Sequence, residues 1–320
     1  MTKVFCLLYV AIFISSCTPR NNSIPVIAFA DAFEDNTISQ AKKGFFDALA
    51  KNGFSEEQKT IQVIYRNAQG DIPKLTLSVK YFISQKATLI ATCPSLSTIA
   101  ALQNTKDVPI FMMVSPTPEL MKVTDAADKA PSNLFGVGEA LAYIDTSFSL
   151  IPKLIKPAAG KLKVGMIFNQ SEPQSAEALN RIKQLADQLN IDLVYLPVNS
   201  SADVMLVTQS LLTQHIDAFF ANPDNTVFSS FETIIKACNN AKVPVFTSEA
   251  GLVSRGAVAA YGADIYQWGY QAGEQAAQFL KNKNTTGLQW EMVKLRKRVY
   301  NPAVAKQFNI TVPANFEALQ

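Results

Sequence analysis

An apolar run, Ala218 to Ala221, stops abruptly at Asn222-Pro223-Asp224-Asn225, and a helical pattern follows at once. A short apolar run bounded by turn residues reads as a buried strand of a parallel sheet. The turn hands a carboxylate, an amide and a hydroxyl (Asp224, Asn225, Thr226) to a helix N-terminus. Open α/β sheets bind ligands where strand carboxyl ends meet helix N-termini. The stretch has a twin in Ala87-Thr-Leu-Ile-Ala-Thr-Cys-Pro-Ser95, with Pro94 answering Pro223 at a distance of 129 residues. Val63 and Val194 are 131 apart, and Val108-Pro-Ile and Val243-Pro-Val are 135 apart. A near-constant offset over three elements marks a duplicated βα series. Each copy implies a parallel sheet flanked by helices, and two such lobes leave a cleft between their strand ends.

Strands are expected at 25–30, 61–65, 87–92, 108–113 and 134–137, then at 163–168, 193–196, 218–221 and 243–247, and finally at 257–261 and 290–295. Between them, helices are expected at 37–51, 72–85, 95–104, 138–151, 174–189, 202–213, 226–239, 264–280 and 301–308. The first carries Ile38, Ala41, Phe45, Ala48 and Leu49 on one face, and Asn52-Gly53 ends it. Gly138-Glu139 is read as the opening of the 138–151 helix. The last segments exceed the second copy, as in a two-lobed binder whose chain crosses back. Lobe one is therefore placed at 25–137 plus 257–288, and lobe two at 138–256 plus 289–320.

At the N-terminus, Lys3 precedes an apolar segment, Val4 to Ile14, too short to span a bilayer as a helix. This is a secretory signal, residues 1–16. Small residues directly before a cysteine resemble a bacterial lipoprotein signal, with Ile14-Ser15-Ser16-Cys17 as the lipobox. Cys17 then becomes the lipidated N-terminus, and 17–24 a polar tether. Only Cys93 and Cys238 remain internal to the folded chain, and no bridge between them is expected. The formal net charge of +3 falls by the one charge of Lys3 on cleavage. That offers no argument for nucleic acid, and no basic run interleaved with aromatics is present. The basic stretch Lys294 to Arg298 reads as a solvated strand edge.

Enzyme signatures are scarce. His215 is the sole histidine and stands at a helix end, so no transition-metal site is expected. There is no Gly-x-Ser-x-Gly elbow and no P-loop. Gly136 and Gly138 lack the third glycine of a dinucleotide fingerprint. Strand ends offer Asp31, Phe33, Glu34, Thr92, Ser95, Ser115 and Thr117 in lobe one. Lobe two offers Glu139, Asn169, Glu172, Asp224, Asn225, Ser248 and Glu249. Capping is the bland role for Ser95, Thr226 and Gln174, and packing the role for Trp268 and Trp290. As a set facing one cleft, acids and helix N-termini suit a zwitterion. Asp224 is the first choice of partner for a ligand ammonium, with Glu249 or Glu139 as the alternative.

The chain resembles the ABC-transporter substrate-binding lipoproteins of the tryptophan/tyrosine type, a branch of the type I periplasmic-binding-protein-like fold. Asn67-Ala-Gln-Gly-Asp71, Pro223-Asp-Asn-Thr-Val227, Val243-Pro-Val-Phe-Thr-Ser248, and Arg255-Gly-Ala257 followed by Gly262-Ala-Asp-Ile-Tyr266 carry the resemblance. It implies two Rossmann-like lobes joined by a multi-crossover hinge, with Asp224 and Asn225 in a ligand loop and Thr92, Pro94 and Ser95 in the first-lobe loop. Glu139 and Glu249 stand where that family usually has aspartate. The implied function is extracytoplasmic capture of a small molecule, an aromatic amino acid first, by a membrane-anchored monomer that passes it to an ABC permease and its ATPase. No cofactor, metal or catalytic residue is implied. The rival readings are a ligand-sensing lipoprotein signalling to a membrane receptor and an extracytoplasmic hydrolase.

Overall fold

The computed structural model describes residues 24–33 and 35–319 of the chain. The signal segment, the lipobox with Cys17, most of the tether and Glu34 lie outside the described residues. The first series runs β1 (Val26–Asp31), α1 (Ser39–Lys51), β2 (Gln62–Asn67), α2 (Ile72–Ser84), β3 (Leu89–Cys93), α3 (Ser95–Asn104), β4 (Ile110–Pro116) and β5 (Leu134–Glu139). A 3-10 turn at Leu141–Tyr143, α4 (Ile144–Phe148) and α5 (Ile151–Leu154) lead onward. The second series is β6 (Lys163–Phe168), α6 (Pro173–Gln188), β7 (Asp192–Pro197), α7 (Val204–Leu212), β8 (Ala218–Ala221), α8 (Asn225–Ser229), α9 (Phe231–Asn240), β9 (Val245–Thr247) and α10 (Ala250–Val253). The chain closes with β10 (Ala259–Ala263), α11 (Ile265–Asn282), β11 (Glu291–Met292), β12 (Arg296–Tyr300), α12 (Pro302–Gln307) and β13 (Glu317–Ala318).

The two series build the same sheet twice. The first is ordered β2-β1-β3-β4-β5-β11 and the second β7-β6-β8-β9, all parallel. Central strands β1, β3 and β8 are buried on both faces, which is why they read as continuous apolar runs; edge strands β2 and β7 are partly exposed. Helix α1 buries Ala41, Phe45, Ala48 and Leu49, the face expected from the sequence. α11 lies backbone to backbone against it along Ala41, Gly44 and Phe45. A Cβ on Gly44 would sit 2.1 Å from the Tyr266 carbonyl oxygen, and one on Gly269 would sit 1.9 Å from that of Ala41. Only glycine permits that approach, and it fixes α11 to the first lobe.

The chain passes between the lobes after β5, between β10 and α11, and between β11 and β12. These crossings lie side by side. The Val293 N–H donates to the Gly138 carbonyl at 2.9 Å, and the Asp264 N–H to that of Leu295 at 3.1 Å. Arg296 forks onto both oxygens of Glu139, at 2.6 and 2.9 Å.

Several boundaries differ from the sequence reading. Gly138-Glu139 opens no helix; both residues end β5 beside Ser115 and Pro116 of β4, and β11 holds Gly138 from the other side. The strand expected at 290–295 is only the short β11, which joins the first sheet although 289–320 was placed with the second lobe, and a separate strand, β12, follows it. β10, placed with lobe one, pairs antiparallel with β12, and the Val258 N–H reaches the Val245 carbonyl of β9 at 2.7 Å. The helix after Asp224 breaks at Ser230 into α8 and α9.

Candidate functional site

Between the two sets of strand ends lies a cavity of about 440 Å³, of which about 50 Å³ can hold the centre of a water molecule. From the first lobe come Ser95, Val114, Ser115, Pro116 and Trp268; from the second, Gln174, Pro223, Asp224, Asn225, Phe228 and Glu249. The crossover after β5 adds Glu139, Leu141 and Tyr143. The lobes meet over it: the Asn225 side-chain amide donates to the Ser95 hydroxyl at 3.4 Å across the cleft.

Three carboxylates line the cavity, and their partners differ. Asp224 is 1% exposed and already saturated. It accepts from the Asn169 N–H at 2.6 Å, the Ser175 hydroxyl at 2.5 Å, and the N–H groups of Thr226 and Val227 at 2.8 and 3.0 Å. A carboxylate offers about four acceptor positions, so none is left for a ligand ammonium. Asp224 is the N-cap of α8 and the brace of the loop after β6. Behind it, Glu172 accepts from the Asn225 N–H and amide and from Thr226 and Gln174. Burial first, then the neighbouring Asp224, push the Glu172 pKa up to about 8. Glu139 is held by the Arg296 fork; burial raises its pKa and the guanidinium opposes the rise.

Glu249 is different. It is 4% exposed, accepts from the Tyr143 hydroxyl at 2.6 Å, and pairs with no lysine or arginine among the described residues. Burial pushes its pKa up to about 8, with Glu139 adding to the rise. A buried carboxylate without a cation is costly to ionise, and a positive group beside it lowers that cost.

The two repeat helices at the cavity also differ. α8 has its first N–H groups taken by Asp224 and Glu172. α3 begins after Pro94 with no side-chain cap, and Ser95, its first residue, lines the cavity. The first N–H groups of a helix lack intrahelical acceptors and favour an anion. Ser95, Thr226 and Gln174 therefore cap nothing. Ser95 heads α3, Thr226 sits inside α8 bonded to Glu172, and Gln174 sits inside α6 with its amide on Glu172.

Of the residues singled out in the sequence, Ser95, Ser115, Glu139, Gln174, Asp224, Asn225, Glu249 and Trp268 line the cavity. Asn169 and Thr92 stand behind it: Asn169 braces Asp224 and Thr226, and the Thr92 hydroxyl meets that of Thr98, which meets Ser115. Asp31 accepts from the Tyr65 hydroxyl at 2.9 Å and is pushed up to about 6 by burial. The Phe33 ring lies beside Gly70. Thr117 and Ser248 are buried, and the Ser248 hydroxyl has no partner among the described residues. None of these six is in the cavity wall.

Sequence reasoning missed the aromatic wall. Tyr143, Phe228 and Trp268 all line the cavity, and Trp268, read as packing, is anchored there by its indole N–H on the Val137 carbonyl at 2.8 Å. A signal was present. Phe228 and Trp268 each stand four residues after an aspartate N-cap, Asp224 and Asp264. That spacing sets an aromatic ring one turn into a helix on the side of its cap. Among the described residues, no group of His, Cys, Asp and Glu is arranged to hold a metal, and no helix is long and apolar enough to cross a membrane. Cys93 and Cys238 are free and buried, and His215 is exposed between α7 and β8.

Comparison with known proteins gives consistent matches. The family described as ABC transporter substrate binding protein matches residues 26–319. The tyrosine-binding protein of Clostridioides difficile strain R20291 is 32% identical over 258 residues, covering 81% of this chain and 73% of that protein. A conserved domain protein from Vibrio cholerae superposes with a TM-score of 0.82 at 26% identity, covering 92% of this chain and 99% of that one. An ABC domain from Streptococcus pneumoniae in complex with L-Trp gives 0.82 at 21% identity over the same shares, a likeness of fold. The ligand-free, open structure of a substrate binding protein with adhesive properties from Clostridium difficile gives 0.67 at 26% identity, covering 93% and 99%.

Proposed function

The chain belongs to the family of ABC transporter substrate-binding proteins, and on that premise we propose that it captures a free aromatic amino acid, tyrosine or tryptophan, between its lobes. The observation that carries this is the pairing of Glu249, a buried carboxylate with no cation, with three aromatic side chains in one cavity. The ligand ammonium sits against Glu249, with Tyr143 holding the carboxylate in place. Its carboxylate sits across the cleft at the uncapped N-terminus of α3, beside the Ser95 hydroxyl. Its ring packs among Tyr143, Phe228 and Trp268. The tyrosine-binding protein and the L-Trp complex among the similar proteins support the same class. The ligand leaves chemically unchanged to an ABC permease and its ATPase. The protein acts as a monomer outside the cytoplasm, tethered to the membrane through a lipid on Cys17.

Calorimetric titration tests the reading with L-tyrosine, L-tryptophan, L-leucine, tyramine and N-acetyl-L-tyrosine. The two aromatic amino acids bind, leucine binds far more weakly, tyramine loses the α3 contact and N-acetyl-L-tyrosine loses the Glu249 contact. Equal affinity for L-tyrosine and N-acetyl-L-tyrosine refutes the ammonium site. Tighter binding of L-leucine than of either aromatic refutes the class.

A further inference from the structure

The stretch Arg255-Gly-Ala257 contributes nothing to the cavity wall, yet Arg255 is among the most heavily bonded side chains of the fold. It follows α10 in the second lobe. Its Nε donates to Glu232 at 2.8 Å; Nη2 donates to Glu232 at 2.9 Å and to the Phe228 carbonyl at 3.0 Å. Nη1 crosses to the first lobe, to the Asp35 carboxylate at 2.6 Å and the Thr37 hydroxyl at 3.1 Å. All five N–H donors of a guanidinium are thereby used.

The receiving turn is built for the contact. The Asp35 side chain is 1% exposed. Its other oxygen accepts from the Thr37 and Ile38 N–H groups at 2.8 and 2.9 Å, which fixes the carboxylate in place. α10 packs directly on this turn: a Cβ on Gly251 would lie 2.0 Å from the Thr37 methyl carbon. One arginine thus joins the turn between β1 and α1, the second-lobe helix α9, and the backbone of Phe228, whose ring walls the cavity.

We infer that Arg255 is a cross-cleft clasp that holds the lobes shut over the ligand without touching it, and so sets how long the ligand stays. Opening the cleft breaks only the bonds to Asp35 and Thr37. Those to Glu232 and Phe228 lie within one lobe and persist. The fork therefore stays oriented in the open protein, and closure orders little that was free, which is the condition under which a new contact adds affinity. Because neither Arg255 nor Asp35 is in the cavity wall, breaking their contact acts on release and removes no direct ligand contact.

The probe ligand rests on the aromatic amino acid reading. Four proteins are compared: wild type, Arg255→Gln, Asp35→Asn, which keeps an oxygen for the turn, and Glu232→Gln, which weakens only the bonds within one lobe. Stopped-flow release of L-tyrosine, calorimetric affinity, thermal unfolding and the radius of gyration from small-angle scattering are read for each. Arg255→Gln and Asp35→Asn each speed release by about tenfold or more with little change in association rate. Their double variant is no worse than either single one, since both break one contact. Glu232→Gln stays within about threefold of wild type. Wild-type release from Asp35→Asn, or additive effects of the two, overturns the clasp and leaves Arg255 a brace of the second lobe. If wild type binds neither L-tyrosine nor L-tryptophan, the ligand reading alone fails. The free proteins then decide: a radius of gyration larger in both variants than in wild type supports the clasp, and equal radii overturn it.

Discussion

Replacing Glu249 by Gln removes one charge from the cavity and keeps a group that can meet the Tyr143 hydroxyl. In the free protein the Glu249 carboxyl titrates near pH 8 because burial disfavours its ionised form. At pH 7 ionising it for a ligand ammonium costs on the order of 1 kcal/mol. Truncating one partner of a desolvated charge pair costs about 2–5 kcal/mol. The net loss at pH 7 is therefore about 1–4 kcal/mol, roughly five-fold to several hundred-fold in affinity. The pH dependence is the sharper signature. Binding fixes the ionised form, so wild type releases a proton as it takes up L-tyrosine at pH 7, and its affinity falls by about tenfold or more from pH 8 to pH 6. Glu249→Gln shows neither. Stability moves with the opposite sense. The folded pKa is raised above the unfolded value of 4.5, so the Glu249 contribution is fully present below about pH 4.5 and is lost as pH rises through about 8. Glu249→Gln consequently stabilises the free protein at pH 8.5 and leaves it unchanged at pH 4.5. Calorimetry in buffers of different ionisation heat, at pH 6, 7 and 8, measures the proton release directly. Affinity of wild type that is flat across this range, or a variant with the wild-type slope, refutes the assignment of the ammonium to Glu249.

Other expectations are independent of this one. Asp224→Asn keeps one acceptor oxygen for four donors, so scanning calorimetry should show a loss of about 2–4 kcal/mol of stability; unchanged stability with affinity down about hundredfold would return the ammonium to Asp224. Ser95→Asp places a carboxylate at the N-terminus of α3, where it should cost L-tyrosine about 2–5 kcal/mol of affinity while sparing tyramine; equal losses for both would remove the carboxylate subsite from α3. Cys17→Ser should leave the precursor uncleaved or the protein released in cell fractionation, whereas cleaved Cys17→Ser protein retained at the membrane argues against the lipid anchor.

The parts of the molecule that depend on neighbours in sequence were legible. The run Ala218 to Ala221 is β8, buried on both faces, and the offset shared by Pro94 and Pro223 places them at equivalent strand ends of two sheets with one strand order. What depends on distant pairing was not legible. Gly138-Glu139 has a helix-opening look, yet both residues are strand because β4 pairs with both and β11 with Gly138. Asp224 looked like an available carboxylate because the Asn169 N–H and the Ser175 hydroxyl that occupy it come from 55 and 49 residues away. Glu249 and Asp224 are indistinguishable as sequence signals. Only the inventory of donors around each separates a structural acid from one left for a ligand.

On the function proposed above, that separation gives a duplicated chain a site for a molecule with two unlike ends. The cap positions of the two helices, Pro94 before α3 and Asp224 before α8, are the natural comparison. In the second lobe the position holds a carboxylate, which caps α8 and uses up its first N–H groups. In the first it holds a proline, which offers no side-chain acceptor, and α3 starts at Ser95 with no side-chain cap. One copy thus satisfies its own helix and the other leaves a partial positive charge facing the cleft. At the next strand end of the second copy, Glu249 reverses the sign: a carboxylate buried without a cation. A symmetric pair of capped helices would present no polarity along the cleft. The unequal caps give it a positive end in the first lobe and a negative end in the second, and a ligand carrying both charges must bridge them. Bridging draws the lobes together, because neither end is satisfied until both strand ends reach it.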